Sequence, residues 1–485
     1  MKNLMTSAFA RGAIVFGAAA LTACANLPGE TPADALKSGA DLTSTQAFAA
    51  PARDWPATTW WHAYGDEQLN SLIAEGLAAS PTVAIADARL ARARAFEGGA
   101  RGSLAPQLTA GSSITQQKQS YNYLSPAAMT PQGWNDYGRS SLDFSWELDF
   151  WGKNRAAVAA ATSDAVAASA EAEQARLTLA SAIASGYAEL ARLYAALDTA
   201  NAARDLRVKT AELFAKRFDN GLETRGGLRQ ADSRTAASVA DVLALEEQIA
   251  LQKNRLAALL GAGPDRSLAI SRPKVDFTRE FALPATLPVE LIGRRPDLVA
   301  ARLRAEAAAK RIHVYRAQFY PNVNLSAFIG VQALGLDMLK ESGSDIGGVG
   351  PAITLPVFNG GRLRGQLRGA AAEYAEAAAN YDKTLVQALQ EVADAAVSQR
   401  ALRPQIEQID AAVQAAREAW RVQQNRYQGG LATYLEVLSA EDYLLSNLRV
   451  QSDFASRSLS LDVALSRALG GGYQIPAVLA ASNQP

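Results

Sequence analysis

Two periodicities alternate along this chain. Leu142, Phe144, Trp146, Leu148 and Phe150 alternate with mostly polar neighbours, and a period of two puts one set of side chains on one face of a strand. Val323, Leu325, Ala327 and Ile329 repeat the pattern against small or polar residues. Residues 108–114 and 349–357 give weaker versions, so the pattern predicts four strands in two hairpins. Over 153–218 the apolar positions follow a helical period without interruption, and no proline occurs between Pro131 and Pro264. At about 1.5 Å per residue, that segment predicts a rod of roughly 100 Å. Its apolar positions are alanine-rich and spread around the helix, which predicts close packing against several neighbours. Pro404 falls where the second-half equivalent would otherwise continue, and predicts a kink or break there.

The pattern occurs twice. Pro81 and Pro296 lie 215 residues apart, as do Pro106 and Pro321. Gly152 and Gly361 lie 209 residues apart, and the same offset relates RFDNGLET (217–224) to RYQGGLAT (426–433) and Gly261 to Gly470. An ungapped register of that length implies internal duplication, with a loop six residues longer between Pro106 and Gly152 than between Pro321 and Gly361. Pro81 and Pro296 suit the first position of a helix, which Ser80 favours as a cap and Asp297 by its charge. The organisation expected is a leader over 1–23, an extension over 24–65, a first repeat over 66–270 with its hairpin near 105–150, and a connector over 271–291 marked by Pro273, Pro284 and Pro288. A second repeat follows over 292–470 with its hairpin near 320–359, then a tail over 471–485.

Composition narrows the function. Forty-eight basic side chains balance 48 acidic ones, without a Lys/Arg cluster, so nucleic acid is not an expected partner. One cysteine excludes an intramolecular disulfide framework, and His62 and His313 cannot alone build a transition-metal site. The phosphate-cradling, dinucleotide, zinc-protease and nucleophile-elbow motifs are all absent, so no catalytic residue, cofactor or metal is expected and an enzyme is the weakest reading. Lys2 and Arg11 precede an apolar stretch over 12–21, too short to span a bilayer and long enough for a secretory core. It ends in Leu21-Thr22-Ala23-Cys24, which resembles a bacterial lipobox. The alternative is an ordinary signal peptide with an incidental thiol. The lipobox resemblance implies acylation of Cys24, and Ala25 after it implies sorting to the outer membrane. Two or three acyl chains anchor stably where one holds marginally.

Strands of this length and one-sided polarity suit a bilayer. Four cannot close a barrel, and each open edge would leave backbone N–H and C=O groups unpaired in hydrocarbon. Two chains would supply eight strands around a filled interior, and three would supply twelve around a lumen. The alternative is an antiparallel sheet packed on its own helices in water, with Trp146, Phe150 and Trp151 in a core.

Several ordered segments carry a family resemblance. They are the lipobox, DEQLNSLIAEGLAASPTVAIADARLARARA (66–95), WELDFWGKNR (146–155), RRPDLVAARLRAEAAAKRI (294–312), FYPNVNLSA (319–327), LPVFNGGRL (355–363) and RYQGGLATYLEVLSAEDYLL (426–445). Together they resemble the outer membrane factor, or TolC-like, family, and most nearly the NodT-type lipoproteins that serve resistance-nodulation-division efflux pumps. The resemblance spans nearly all of the mature chain. It implies a mainly α fold with a transmembrane β portion: a homotrimer whose 12-stranded β-barrel, four strands per chain, continues into a long periplasmic α-helical barrel. It further implies contact with outer membrane lipid, a periplasmic adaptor (membrane fusion) protein and an inner-membrane resistance-nodulation-division pump. The function implied is passive export of small toxic compounds across the outer membrane. The alternatives are the duct of a type I protein secretion system and a non-channel coiled-coil scaffold.

Asn220-Gly221 and Gly429-Gly430 fall where each long helix must reverse, and glycine tolerates the positive φ that such turns demand. Thr224 and Thr433 are positioned to cap the returning helices. The resemblance makes these reversals the periplasmic tips, with Gly221, Leu222, Gly430 and Leu431 docking the adaptor and Arg426, Tyr427 and Glu436 at the closed aperture. Thr433 to Glu436 also reads as a capping box, which would give Glu436 a structural role by itself or alongside the other. Gly227 replaces Glu436 in the first half, so loss of the box and a more mobile tip are expected there. Three copies of Glu436 converging would repel one another and favour cations.

Overall fold

The computed structural model describes residues 36–38, 42, 48, 50–122, 126–275, 282–284 and 287–475. Cys24 and the leader lie outside these residues, as do most of the extension before residue 50, part of the connector and most of the tail.

Each half builds the same series of elements. The first comprises α1 (Glu67–Ala79), α2 (Pro81–Gly102), β1 (Gln107–Gln117), β2 (Asn135–Glu147), α3 (Lys153–Asp219) and α4 (Arg225–Leu259). The second comprises α5 (Leu287–Arg294), α6 (Pro296–Ala317), β3 (Asn322–Leu334), β4 (Asp345–Thr354), α7 (Arg362–Gln428) and α8 (Tyr434–Ala468). Helices α3 and α7 both have 67 residues, and α4 and α8 both have 35. Pro81 and Pro296 open α2 and α6, where a missing N–H leaves no bond unmade. Asp149, inside the WELDFWGKNR segment, accepts hydrogen bonds from the Asn154 and Arg155 N–H groups and so satisfies two donors at the start of α3.

Of the kink or break expected at Pro404, the break does not occur: helix α7 continues through it. Pro404 lacks an N–H, so the Arg400 carbonyl loses its usual donor. Both residues are exposed, and water can take that donor's place without interrupting the turns on either side.

The chain divides into two compact units. One comprises Ala91–Ala167 with Arg302–Asn380, and the other Leu36–Leu90, Ala168–Ala301 and Tyr381–Pro485. The first holds a four-stranded antiparallel sheet in the order β1-β2-β3-β4. Its strand β4 begins at Asp345 and ends at Thr354, earlier at both ends than the 349–357 pattern indicates, because Gly347, Gly348 and Gly350 hide the alternation. Strand β2 ends at Glu147, before Leu148 and Phe150, although the Leu148 N–H still donates to the Val323 carbonyl at 2.8 Å. Gly330 lets β2 and β3 approach closely: a Cβ there would lie 2.2 Å from the Ser140 carbonyl oxygen. Asp164 on α3 accepts from Arg304 and Arg311 on α6, tying these helices within the same unit.

In the second unit one core gathers Trp60, Leu72, Ile73, Ile183, Tyr187 and Leu256 around α1, α3 and α4. Asp66 caps α1 through the Gln68 and Leu69 N–H groups and also accepts from the Tyr187 hydroxyl and the Lys274 N–H. Arg295, just before α6, is 5% exposed. It donates to both oxygens of Asp297, to Glu391 on α7 at 2.8 Å and to the Ala468 carbonyl at the end of α8 at 3.1 Å. A buried guanidinium is tolerated when its donors are matched in this way, and removing it strands the acids around it. Arg295→Met is therefore expected to destabilise this unit by about 3–5 kcal/mol, read as a lowered thermal midpoint. An unchanged midpoint would show that the cluster contributes nothing net.

Candidate functional site

Two regions carry the chemistry that the sequence singles out: the sheet and the paired helix reversals.

The strand register sorts the sheet into two unlike faces. Leu108 pairs with Phe144, Phe144 with Ala327 and Ala327 with Val349, so all four share one face. By the same alternation that face carries Ala110, Ile114, Leu142, Trp146, Val323, Leu325, Ile329, Val331, Pro351 and Ile353, with Ser112, Gln116, Asp136, Ser140 and Asp345 toward the β1–β2 and β3–β4 hairpin ends. Large members of it are bare: Ile329 is 68% exposed and Val349 79%. The opposite face carries Gln107, Thr109, Arg139, Ser141, Asp143, Ser145, Asn324, Ser326 and Gln332, with Tyr137, Phe328, Leu334 and Ile346 among them. There the Ser141 hydroxyl donates to Asp143 at 2.8 Å, and the Arg139 guanidinium lies 5.6 Å from the Phe328 ring centre. Beside the sheet, Trp151 stacks on Tyr320 at 4.8 Å and donates its indole N–H to the Pro321 carbonyl. Among the described residues β1 and β4 each pair along one edge only.

The reversals are two copies of one device. Gly221 and Gly430 take φ values of 71° and 75°, in the left-handed region that favours glycine. The following Leu222 and Leu431 N–H groups return to the Arg217 and Arg426 carbonyls at 2.8 Å each, closing Schellman-type turns. Leu222 and Leu431 themselves project into solvent.

The two caps differ. Thr433 donates both its N–H and its hydroxyl to the Glu436 carboxylate, the side-chain half of a capping box. These bonds, the backbone one foremost, hold the Glu436 carboxyl below the usual range. In the first copy the Thr224 hydroxyl accepts from Gly227, and Glu223 takes the part that Gly227 cannot play by accepting from the Thr224 N–H at 2.8 Å. The capping function expected to be lost there is supplied from a different position.

Glu223 also joins the copies, since its other oxygen accepts from the Tyr427 hydroxyl at 3.0 Å. Tyr427 is buried, stacked on Phe214 at 5.6 Å and faced by the Arg217 guanidinium. Burial, then the Glu223 bond, pushes its hydroxyl pKa up. Phe214, Ala231, Tyr427 and Val437 form one cluster from all four helices at the reversals. Arg426 donates to the Leu431 carbonyl at 3.1 Å, inside its own turn. Of the aperture residues named from the resemblance, Arg426 and Glu436 are thus exposed and locally bonded, and Tyr427 is interior. Sequence reasoning placed Glu223 near the turn but gave it no partner, and it missed Phe214 and the Glu441–Asp442 pair on α8. Of the missed residues only the aromatic at 214 had any sequence signal, as an apolar position at helical spacing.

Glu436 stabilises its helix start in the ionised form, with a carboxyl shifted downward. That contribution is present above the ordinary glutamate range and is lost as pH falls through the lowered value. Amide exchange over the first turn of α8 is expected to stay slow to below the ordinary glutamate value of about 4.3 and to accelerate at neutral pH in Glu436→Ala, which has no side-chain acceptor to replace the carboxylate. Equal exchange in both proteins would remove the cap.

The family model for outer membrane efflux proteins matches residues 72–262 and 287–471. The fusaric acid resistance protein FusA of Burkholderia cepacia is 36% identical over 359 residues, covering 72% of this chain and 67% of that protein. The multidrug resistance outer membrane protein MdtP of Shigella flexneri is 30% identical over 435 residues, 88% of each chain. Among solved structures, the outer membrane protein VceC from Vibrio cholerae is 51% identical with a TM-score of 0.82, covering 87% of this chain and 100% of that one. The outer-membrane channel OprN is 27% identical with a TM-score of 0.83, covering 92% and 98%. Matched in both halves and along its full series of helices and strands, the chain belongs to the outer membrane efflux protein family.

Proposed function

We propose that this chain is the outer membrane duct of a tripartite efflux system, through which small toxic compounds pass passively. The observation that carries the reading is the two-faced sheet with two open edges. Its bare apolar face suits lipid, and its polar face suits water. Neither edge can enter hydrocarbon unpaired, so copies must join β1 to β4 around a ring. Three copies give twelve strands and a lumen. The relatives' names, with multidrug and fusaric acid resistance among them, favour small toxic compounds over a secreted protein as cargo.

In this reading Cys24 is acylated and tethers the chain to outer membrane lipid. The turns at Gly221, Leu222, Gly430 and Leu431 meet a periplasmic adaptor protein, which links the duct to an inner-membrane resistance-nodulation-division pump. The exposed Leu222 and Leu431 side chains, each on a rigid glycine turn, support that docking role. Arg426, Tyr427 and Glu436 form the closed aperture, with Tyr427 holding the helices together and Glu436 facing the pore. Opening is a small separation of the tip helices on adaptor binding.

The mature lipoprotein is expected to purify in detergent at three times the chain mass and to conduct ions in planar bilayers. A monomer stable in buffer without detergent, or a trimer without conductance, would overturn the duct. Glu436→Gln is expected to reduce the cation preference of the single-channel current, since three converging carboxylates attract counter-ions. Unchanged selectivity would place Glu436 outside the aperture.

A further inference from the structure

Five residues beyond Glu436, α8 carries a carboxylate in the opposite situation. Glu441 is 1% exposed. Thr210 on α3 offers one oxygen a hydroxyl at 3.3 Å, but that hydroxyl also lies 3.1 Å from the Leu206 carbonyl and has only one proton to give. The other oxygen, Oε1, is buried with no hydrogen bond among the described residues. Its nearest cation is the Arg207 Nε at 3.8 Å.

That arginine is engaged elsewhere. Asp442, the next residue, accepts from Arg207 on α3 at 3.1 Å and from Arg234 on α4 at 2.9 Å. Tyr434, seven residues before Glu441 and hence on the same face of α8, has a buried hydroxyl that also lacks a partner among the described residues. Its pKa is pushed up to about 12, by burial first. The groups facing Glu441 are therefore Arg207 and Thr210 on α3, Arg234 on α4, and Asp442 and Tyr434 on α8 itself. They leave the ionised carboxylate under-compensated, whereas a neutral carboxyl needs less. Burial accordingly pushes the Glu441 carboxyl up, against the pull of Arg207.

We propose that Glu441 is a proton-operated latch: neutral, it lets α8 pack against α3 and α4 beside the helix reversal, and ionised, it loosens that seam. The consequence for conduction rests on the duct reading above; the latch itself does not. A carboxyl raised in the folded state makes the packed seam firmest below the raised value, and the seam weakens as pH rises through it. The tip is then tighter below the raised value than above it. This runs opposite to the Glu436 cap, which acid removes, and in a separate pH range, so the two are distinguishable.

The test uses the full-length lipidated protein in detergent and in planar bilayers. Amide exchange over residues 434–445, corrected for intrinsic rates, is expected to slow about three- to tenfold in the wild type as pH falls from neutral through the raised value toward the ordinary glutamate value of about 4.3. Glu441→Gln and Glu441→Met, both permanently neutral, are expected to hold the slow acid value throughout, and either variant suffices if the other misfolds. Wild-type conductance should fall over the same range, with that of the variants low and flat. The same pH profile in wild type and variants would overturn the latch. Exchange that follows this pattern in a protein without conductance would uphold the latch and overturn the duct.

Discussion

The sheet is the constraint from which the remaining architecture follows. A strand edge is a row of backbone donors and acceptors, and water or another strand must meet each one. Strands β1 and β4 leave such rows within one chain, while the face between them shows Leu108, Leu142, Ile329, Val349 and Ile353 bare. A monomer in water would expose the apolar face, and a monomer in lipid would leave the edges unpaired. Association along the edges removes both costs together, because it pairs the backbone and leaves the apolar face continuous around the outside. Loss of one strand from a chain would therefore damage the assembly more than its own contacts suggest.

The helices answer a different demand. Two of 67 residues and two of 35 have little propensity cost, being alanine-rich, but length gives no register. Register comes from the ends and from a few charged ties. Asp149, Asp66, Thr224 with Glu223, and Thr433 with Glu436 fix where helices begin. Arg295 fixes the start of α6 against Glu391 of α7 and the end of α8, so one guanidinium aligns three elements. Such groups have few acceptable positions, whereas an alanine surface could slide by a turn at small cost.

Much of this was legible in the sequence because it depends on period and punctuation. The strand alternation, the proline starts at 81 and 296, the glycine turns at 221 and 430 and the capping box at 433 are all local, and the structure has each of them. What escaped detection is not local. Glu223 has no spacing relation to Tyr427, 204 residues away, and their bond exists only because folding brings the two reversals together. Asp442 reads as a solvated charge until Arg207 and Arg234 are placed beside it. Pro404 predicted a kink or break, and α7 has no break there, because the cost of a proline in a helix depends on exposure, which sequence does not state. The family resemblance supplied the trimer and the roles expected of the tips, which neither period nor spacing contains.

Duplication explains why the two reversals are alike in backbone and unlike in chemistry. Both need a left-handed glycine and a threonine cap, and both have them. The orphan N–H at the cap takes a carboxylate acceptor in both copies, and the sequence supplies it from either side. In the second copy Glu436 reaches back from within its helix and remains exposed. In the first copy Glu223 reaches forward from the turn, which leaves its second oxygen free to hold Tyr427 of the other copy. A symmetric pair of capping boxes would satisfy each helix and bind neither to the other. Moving one carboxylate to the turn keeps the cap and adds a tie between the halves, one that could be broken without unwinding either helix. Such a tie can part while every hydrogen bond within the helices stays made.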